Sequence, residues 1–435
     1  MGPTALLEKS FLQSLSIDES VLFDRFFIAV ISPLFYVETL ADLEKAVRQG
    51  RTPEQEVGII ARKTPEMNGV PCAHHTELCI ANLLGAQIPM QGRVPLIGGR
   101  PVMVDGRSGM IFEERPEAEA FRRWQIGEFL EVEHRFAKGW RDALNSLDLM
   151  AVAAGMRAMG VNPQSCKTLD DAKQLAIAFV RSKDKSLDRL KFANLTLGLP
   201  PESEPFIAEQ WEKAGFPSLA EYVPFAAYLL TLELFFQITL AADLISAERA
   251  SNRQDVGYLS YLPFSMVFVS SDKLHRRIAQ YFLRSDQSFV WGPDLKADLQ
   301  SLVARYLALP QSEQEKGLMK FAAAPPQDSN CLITTLWNHH FGILRAQAAE
   351  AALSFDDATV QGDDFEEKRK STRPFPAGGK ELVEYLNRFG DAEGLPRDDV
   401  DFDVANPEVL SIKRQVHKRK GSFWQVPKDL KERPN

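Results

Sequence analysis

Four acids are the residues in this chain whose placement invites chemistry: Glu8, Glu38, Asp255 and Asp272. Glu8 closes the short apolar run Thr4 to Leu7, and Asp272 follows Met266 to Val269 and a pair of serines. Both therefore stand at predicted strand ends, while Glu38 and Asp255 fall on predicted helices alongside. Open α/β sheets bind ligands outside the carboxyl ends of their strands, so a doubly wound sheet would gather all four at one edge. Carboxylates brought together repel and take up protons unless a cation offsets them. Oxygen-only ligation suits Mg²⁺ or Mn²⁺. A cation so held activates water and stabilises the in-line displacement of a phosphodiester.

The elements that must position these acids have local signals. Ser16 to Glu19 reads as a capping box that starts a helix over about 17–26. Ile28 to Ile31 is β-branched and apolar, a second strand. Ser32-Pro33 supplies an N-cap and a proline at the first helical position, starting a helix that is expected to run to about Arg48. On that helix Glu38 and Asp42 would share a face, which makes Asp42 an auxiliary candidate. A solvated face with Lys45 and Arg48 nearby is the plain alternative. Later, Ser251 to Gln254 can cap the helix that bears Asp255, Pro263 breaks it, and a new helix starts at Lys273.

Three of these segments carry a resemblance. Leu6-Leu7-Glu8-Lys9-Ser10 looks like the opening of PIN-domain ribonucleases, a strand, then an acid, a variable residue and Ser/Thr. Ile31-Ser32-Pro33 through Glu38 is similar to that family's second motif. Asp255, followed by Val267-Phe268-Val269-Ser270-Ser271-Asp272, resembles its closing pair of aspartates. The resemblance implies a PIN-like three-layer α/β/α core with a mostly parallel sheet. It also implies that Glu8, Glu38, Asp255 and Asp272 hold Mg²⁺ or Mn²⁺ and cut single-stranded RNA, with Ser10 and Ser270 in support. The family's first acid is usually Asp, and Glu8 reaches one methylene further. Beside the endoribonuclease stand two alternatives, a PIN-like binding or assembly module with little catalysis and a DNA-directed nuclease.

The resemblance divides the 435 residues into a first part of the core at 1–50, an inserted, mainly helical subdomain at 51–215 and a second part at 216–295. A helical region at 296–356 and a polar linker with a basic tail at 357–435 complete the chain. Within the insertion, Arg93 to Val104 is expected to form a hairpin turning at Gly98-Gly99. Gly106 is a further turn residue, and no phosphate-loop motif is present. The interleaved Arg122, Arg123 and Trp124 could grip a polynucleotide by charge and stacking, or simply belong to an amphipathic helix.

Cys72, His74, His75 and Cys79 are a rival metal set, although their spacing fits no common zinc site and buried thiols with a helix-capping histidine explain them as well. His339-His340 are read in the same way, as structural residues, as ligands or as RNA contacts. The net charge of −8 argues against bulk coating of nucleic acid, not against a local basic groove. Four scattered cysteines and no evident leader fit a reducing cytoplasm. Tyr222 to Ile245 is the most apolar stretch, but its charge-free run of about 11 residues falls short of the roughly 20 a spanning helix needs. It is expected to be a buried core helix, with no membrane involved. A homo-oligomer or a partner protein stays open.

Overall fold

A computed structural model of the protein describes residues 2–45, 50–65, 68–95, 100–104, 107–111, 116–182, 187–199, 201–315, 317–326 and 330–341. Five short strands form one parallel sheet: β1 (Thr4–Leu7), β2 (Ile28–Ile31), β3 (Gly69–Pro71), β6 (Val267–Ser270) and β7 (Ser288–Trp291). Their order is β3-β2-β1-β6-β7. An antiparallel pair, β4 (Arg100–Val104) with β5 (Arg107–Ile111), lies between β3 and β6 in the chain.

Parallel strands are covered on both faces and read as continuous apolar runs. The middle of the sheet behaves this way, with every residue of β6 buried and three of four buried in β1 and in β2. The edge strands β3 and β7 are half-buried. From β1 the chain steps outward to β2 and β3, and after the helical region it returns to pair β6 against the other side of β1. The β1/β6 boundary is thus the topological switch point, where such sheets open a crevice.

Helices α2 (Ile17–Phe26) and α3 (Pro33–Leu40) start where local signals place them, and a short α1 (Lys9–Ser14), for which the sequence gives no cap, precedes them. The Ser16/Glu19 capping box forms, and Ser32 Oγ accepts from the Phe35 amide ahead of Pro33. The helix expected to reach Arg48 ends at Leu40, however, and passes into a 3₁₀ turn over Ala41–Glu44. Next come α4 (Pro53–Lys63) and α5 (His75–Leu83), with β3 between them, so the sheet does not stop at residue 50. The hairpin is shifted as well. Its strands pair Val104 with Arg107, which moves the turn away from Gly98-Gly99, and Gly98, Gly99 and Gly106 lie outside the described residues.

The run from α6 (Pro116–Gln125) to α11 is helical: α7 (Glu131–Asn145), α8 (Leu149–Ala158), α9 (Leu169–Arg181), α10 (Leu187–Thr196) and α11 (Glu204–Lys213). A single turn, α12 (Leu219–Tyr222), leads into α13 (Pro224–Ala241), which is apolar on all sides and packs on α5, α8, α9 and α10. Among the described residues α13 is the one helix long and apolar enough to cross a membrane, and 78% of it is buried within the protein. It is the core helix its composition predicts. The chain then forms α14 (Asn252–Tyr258), β6, α15 (Lys273–Ile278), β7 and α16 (Gly292–Leu307). Backbone contacts divide the chain into two compact units, residues 1–300 and 301–435, and every strand among the described residues belongs to the first.

A helix buried on all sides cannot rely on water to satisfy its first amides. Asn82 solves this for α13: its Oδ1 accepts from the Phe225 and Ala226 amides at 3.1 Å each, and its Nδ2 donates to the Ala86 carbonyl. Replacing Asn82 by Ala strands two buried donors and should cost about 1–3 kcal/mol. Urea unfolding of wild type and Asn82→Ala, followed by circular dichroism, measures that loss.

Candidate functional site

Glu8 stands one residue beyond β1, beside Ser270 at the end of β6, because Leu7 pairs with Val269. Only 7% of Glu8 is exposed, and a buried carboxylate is costly unless it is paired and hydrogen-bonded. Ser10 Oγ donates to its Oε1 at 2.5 Å, while the Ser270 hydroxyl and the Ser271 amide donate to Oε2 at 2.6 and 3.2 Å. His275, fully buried, lies with Nδ1 3.8 Å from the same oxygen.

The protons around His275 can be counted. Its Nε2 lies 2.5 Å from the Asp255 carbonyl, which can only accept, so Nε2 carries a proton. Its Nδ1 lies 2.7 Å from Ser270 Oγ, whose single proton already goes to Glu8, so Nδ1 must donate too. With Glu8 ionised, the ring that completes this network is an imidazolium. Burial opposes that charge, but Glu8 and Asp255 outweigh it and raise the histidine above its ordinary value. Burial likewise opposes ionisation of Glu8, yet the His275 charge and the two serine hydroxyls hold it at about 2. The two form an internal ion pair.

The other acids are less tied. Asp272 is the N-cap of α15, where Oδ1 accepts from the Leu274 and His275 amides at 2.6 and 3.2 Å. Glu38, on α3, takes the Tyr258 hydroxyl on Oε2 at 2.5 Å. Burial pushes its pKa up and the Glu8 charge adds to that, while Lys9 and Tyr258 hold it back. Asp255, on α14, has no hydrogen-bonded carboxylate partner among the described residues. Burial, with the charges of Asp272, Glu38 and Glu8 added, pushes it up to about 7 against the pull of His275. The four acids thus act on one another across the switch point.

The donor set is all oxygen, the ligand type that suits a hard divalent cation. Two limits apply. Both oxygens of Glu8 are engaged by protein donors, and among the described residues no three His, Cys, Asp or Glu side chains already stand together to hold an ion directly. Mg²⁺, however, keeps several waters and commonly binds through one or two carboxylates. The Asp255 carboxylate and the second oxygen of Asp272 have no hydrogen-bond donor among the described residues.

Other expected site residues have structural roles. Asp42 is not a helix neighbour of Glu38 but a buried anion at 3% exposure, held by Lys9 at 2.8 Å, Lys45 at 3.3 Å and Arg141 at 3.5 Å. Trp124 is 2% exposed and packs with Phe121 and Phe129, so no base can stack on it. Arg123 forks onto Glu133 at 2.7 and 3.2 Å, and Arg122 is half-buried. In the rival zinc set, His74 Nδ1 caps α5 by accepting from the Thr76 amide, and His75 packs against the Tyr261 hydroxyl. Burial pushes the Cys79 thiol up to about 12, which leaves it protonated and a poor ligand. His339 is exposed and stacked edge-on with His340.

Three contributors were not singled out by sequence: His275, Tyr258 and Lys9. Two had a signal in their spacing, since His275 is three residues past the capping Asp272 and Tyr258 is three past Asp255 on one helix. Lys9 Nζ joins the Glu38 carbonyl to Asp42 and so ties α3 to the residue after Glu8. Gly292 permits the last approach, because a Cβ there would lie 2.2 Å from Ser271 Oγ and 3.0 Å from Phe11 Cδ2.

Asp255 gives a pH prediction whose sign is opposite to that of a paired acid. Its folded value, about 7, lies above the ordinary 3.8, so between these the folded state holds a proton that the unfolded chain lacks. Stability from this group therefore falls as pH rises through that window. In EDTA, Asp255→Asn should melt about 2–4 °C above wild type at pH 8. The gap should close near pH 4, as scanning calorimetry at both pH values would show.

Compared with known proteins, the chain matches no family model, no curated protein and no solved structure. What the protein does is therefore read from the chemistry of its own site.

Proposed function

We propose that the β1/β6 crevice is a divalent-metal-dependent phosphodiesterase site acting on single-stranded RNA, carried on a PIN-like α/β/α core with a large helical insertion. The observation that carries this reading is the gathering of Glu8, Glu38, Asp255 and Asp272 around one topological switch point, with Asp255 pushed up to about 7 by burial and by the three other acids. Excess carboxylate charge in a crevice is costly to a protein and useful to an enzyme that must bring a cation to a phosphate.

The four acids divide the work. Asp255 and Asp272 offer the oxygens for Mg²⁺ or Mn²⁺, and Glu38 supplies a third, its other oxygen being fixed by Tyr258. Glu8 is a positioning residue: paired with His275 and bonded to Ser270, it holds the turn from which Asp272 projects. When bound, the cation would supply a more acidic water and neutralise charge developing on the phosphoryl oxygens. Asp272, anchored by two amides, and Asp255, held through its carbonyl by His275, would keep their positions whether or not a cation is bound.

A second reading has its own support. The commitment of both Glu8 oxygens to protein donors suits a binding or assembly module of the same fold with no catalysis. Calorimetric titration with Mn²⁺ separates the two, since the module need show no site that Asp272→Asn removes.

For the enzyme, a labelled single-stranded RNA oligonucleotide should be cut in Mn²⁺ or Mg²⁺ and left intact in EDTA. Asp272→Asn keeps a side chain that caps helices as well as Asp. Its melting temperature should stay within a few degrees of wild type while cleavage drops by at least about 100-fold. Undiminished cleavage by this variant would end the nuclease reading, and faster cleavage of the matching DNA strand would redirect it.

A further inference from the structure

The row of side chains that contains Glu8 and Ser270 extends one strand further. Ser270 pairs in register with Trp291, the last residue of β7. In a parallel sheet paired residues point to the same face, so Glu8, Ser270 and Trp291 form a line across three adjacent strands. Ser270 meets His275 of α15, and Trp291 meets the very next residue, with the Arg276 guanidinium carbon 5.0 Å from the indole centroid. Trp291 is only half-buried, although it ends an edge strand.

The charges on this side differ from those in the crevice. Lys273 and Arg276 are exposed, and neither makes an ion pair among the described residues. Arg123 and Arg141, by contrast, are each matched to a carboxylate. An uncompensated arginine lying on a half-exposed tryptophan, beside a phosphodiesterase-type acid cluster, has a specific use. The planar guanidinium and the indole offer stacking surface to a base, and Lys273 and Arg276 offer phosphate contacts.

We infer that Trp291, Arg276 and Lys273 form a ledge that binds single-stranded RNA next to the acidic crevice, so that the strand enters over β7 and its backbone passes Asp272. This inference rests on the proposed phosphodiesterase reading for its choice of ligand, but its test does not depend on cleavage. The ledge replaces Arg122, Arg123 and Trp124, whose side chains are committed within the fold.

The experiment is fluorescence anisotropy of a labelled 12-nucleotide oligo(U) with the full chain in EDTA, where metal-dependent cutting is stopped. Arg276→Ala and Trp291→Leu should each weaken binding about tenfold, the order of one lost stacked base. Arg276→Ala should also flatten the plot of log affinity against log salt by about 0.7, the value of one phosphate contact on a single strand. Arg276→Lys should keep the salt slope yet lose most of the affinity, since it keeps the charge and not the plane. Arg276 is exposed, so its variants stay folded, and matching circular dichroism spectra check this. Unchanged affinity and slope in Arg276→Ala, or no binding of oligo(U) by wild type, would overturn the ledge. Ledge-dependent binding without Mn²⁺-dependent cleavage would keep the ledge and reject the nuclease.

Discussion

A carboxylate taken out of water at the end of β1 sets the terms for everything around it. Glu8 is nearly buried, and an isolated buried charge is among the most expensive things a fold can contain. The protein meets that cost with the nearby Ser10 hydroxyl and, from a segment more than 260 residues further along the chain, His275, the Ser270 hydroxyl and the Ser271 amide. Each partner fixes another part of the crevice. His275 holds the Asp255 carbonyl, Ser270 accepts from the Asp272 amide, and Ser271 packs where Gly292 leaves room. Removing either charge of the Glu8–His275 pair would leave the other buried and alone.

A consequence is that the acids have unequal characters despite their shared neighbourhood. Glu8 is ionised and satisfied. Asp255, which lacks hydrogen-bond donors, bears the repulsion of the other three. Asp272 lies between these extremes, with one oxygen spent on the helix it caps. Such division is common where carboxylates share a site, because neighbouring charges push their protonation apart. It also explains how the crevice stays strongly acidic without unravelling: one acid is stabilised, and a second tolerates a proton.

Much of this arrangement was legible in the residues. The bounds of β1 and β2, the capped starts of α2 and α3 and the burial of α13 follow from patterns spanning a few neighbours, such as β-branched runs, Ser-Pro and a capping box. Contacts between distant segments were not legible. The helix bearing Glu38 ends early where Asp42 turns inward to meet Lys9 and Arg141, the latter about a hundred residues away. Three half-buried residues give β3 too little pattern to register as a strand. Trp124 and Arg123 looked like an exposed gripping surface because their partners, Phe121, Phe129 and Glu133, only meet them once α6 and α7 pack. His275 is the sharpest case, since its protonation follows from three groups that no window of sequence contains.

The pairing of β1 with β6 has a kinetic side. Residues 5–7 find their strand partner only at 267–269, so closing the middle of the sheet requires most of the first unit to have been synthesised. Contacts of such long sequence separation form slowly, because the loop entropy must be overcome before they contribute. Until then Leu6 and Leu7 have no neighbour on that side, and Glu8 remains a solvated, ordinary carboxylate. The assembled crevice is therefore a late product of folding, and a nascent or truncated chain ending just before β6 contains three of the four acids but not the site.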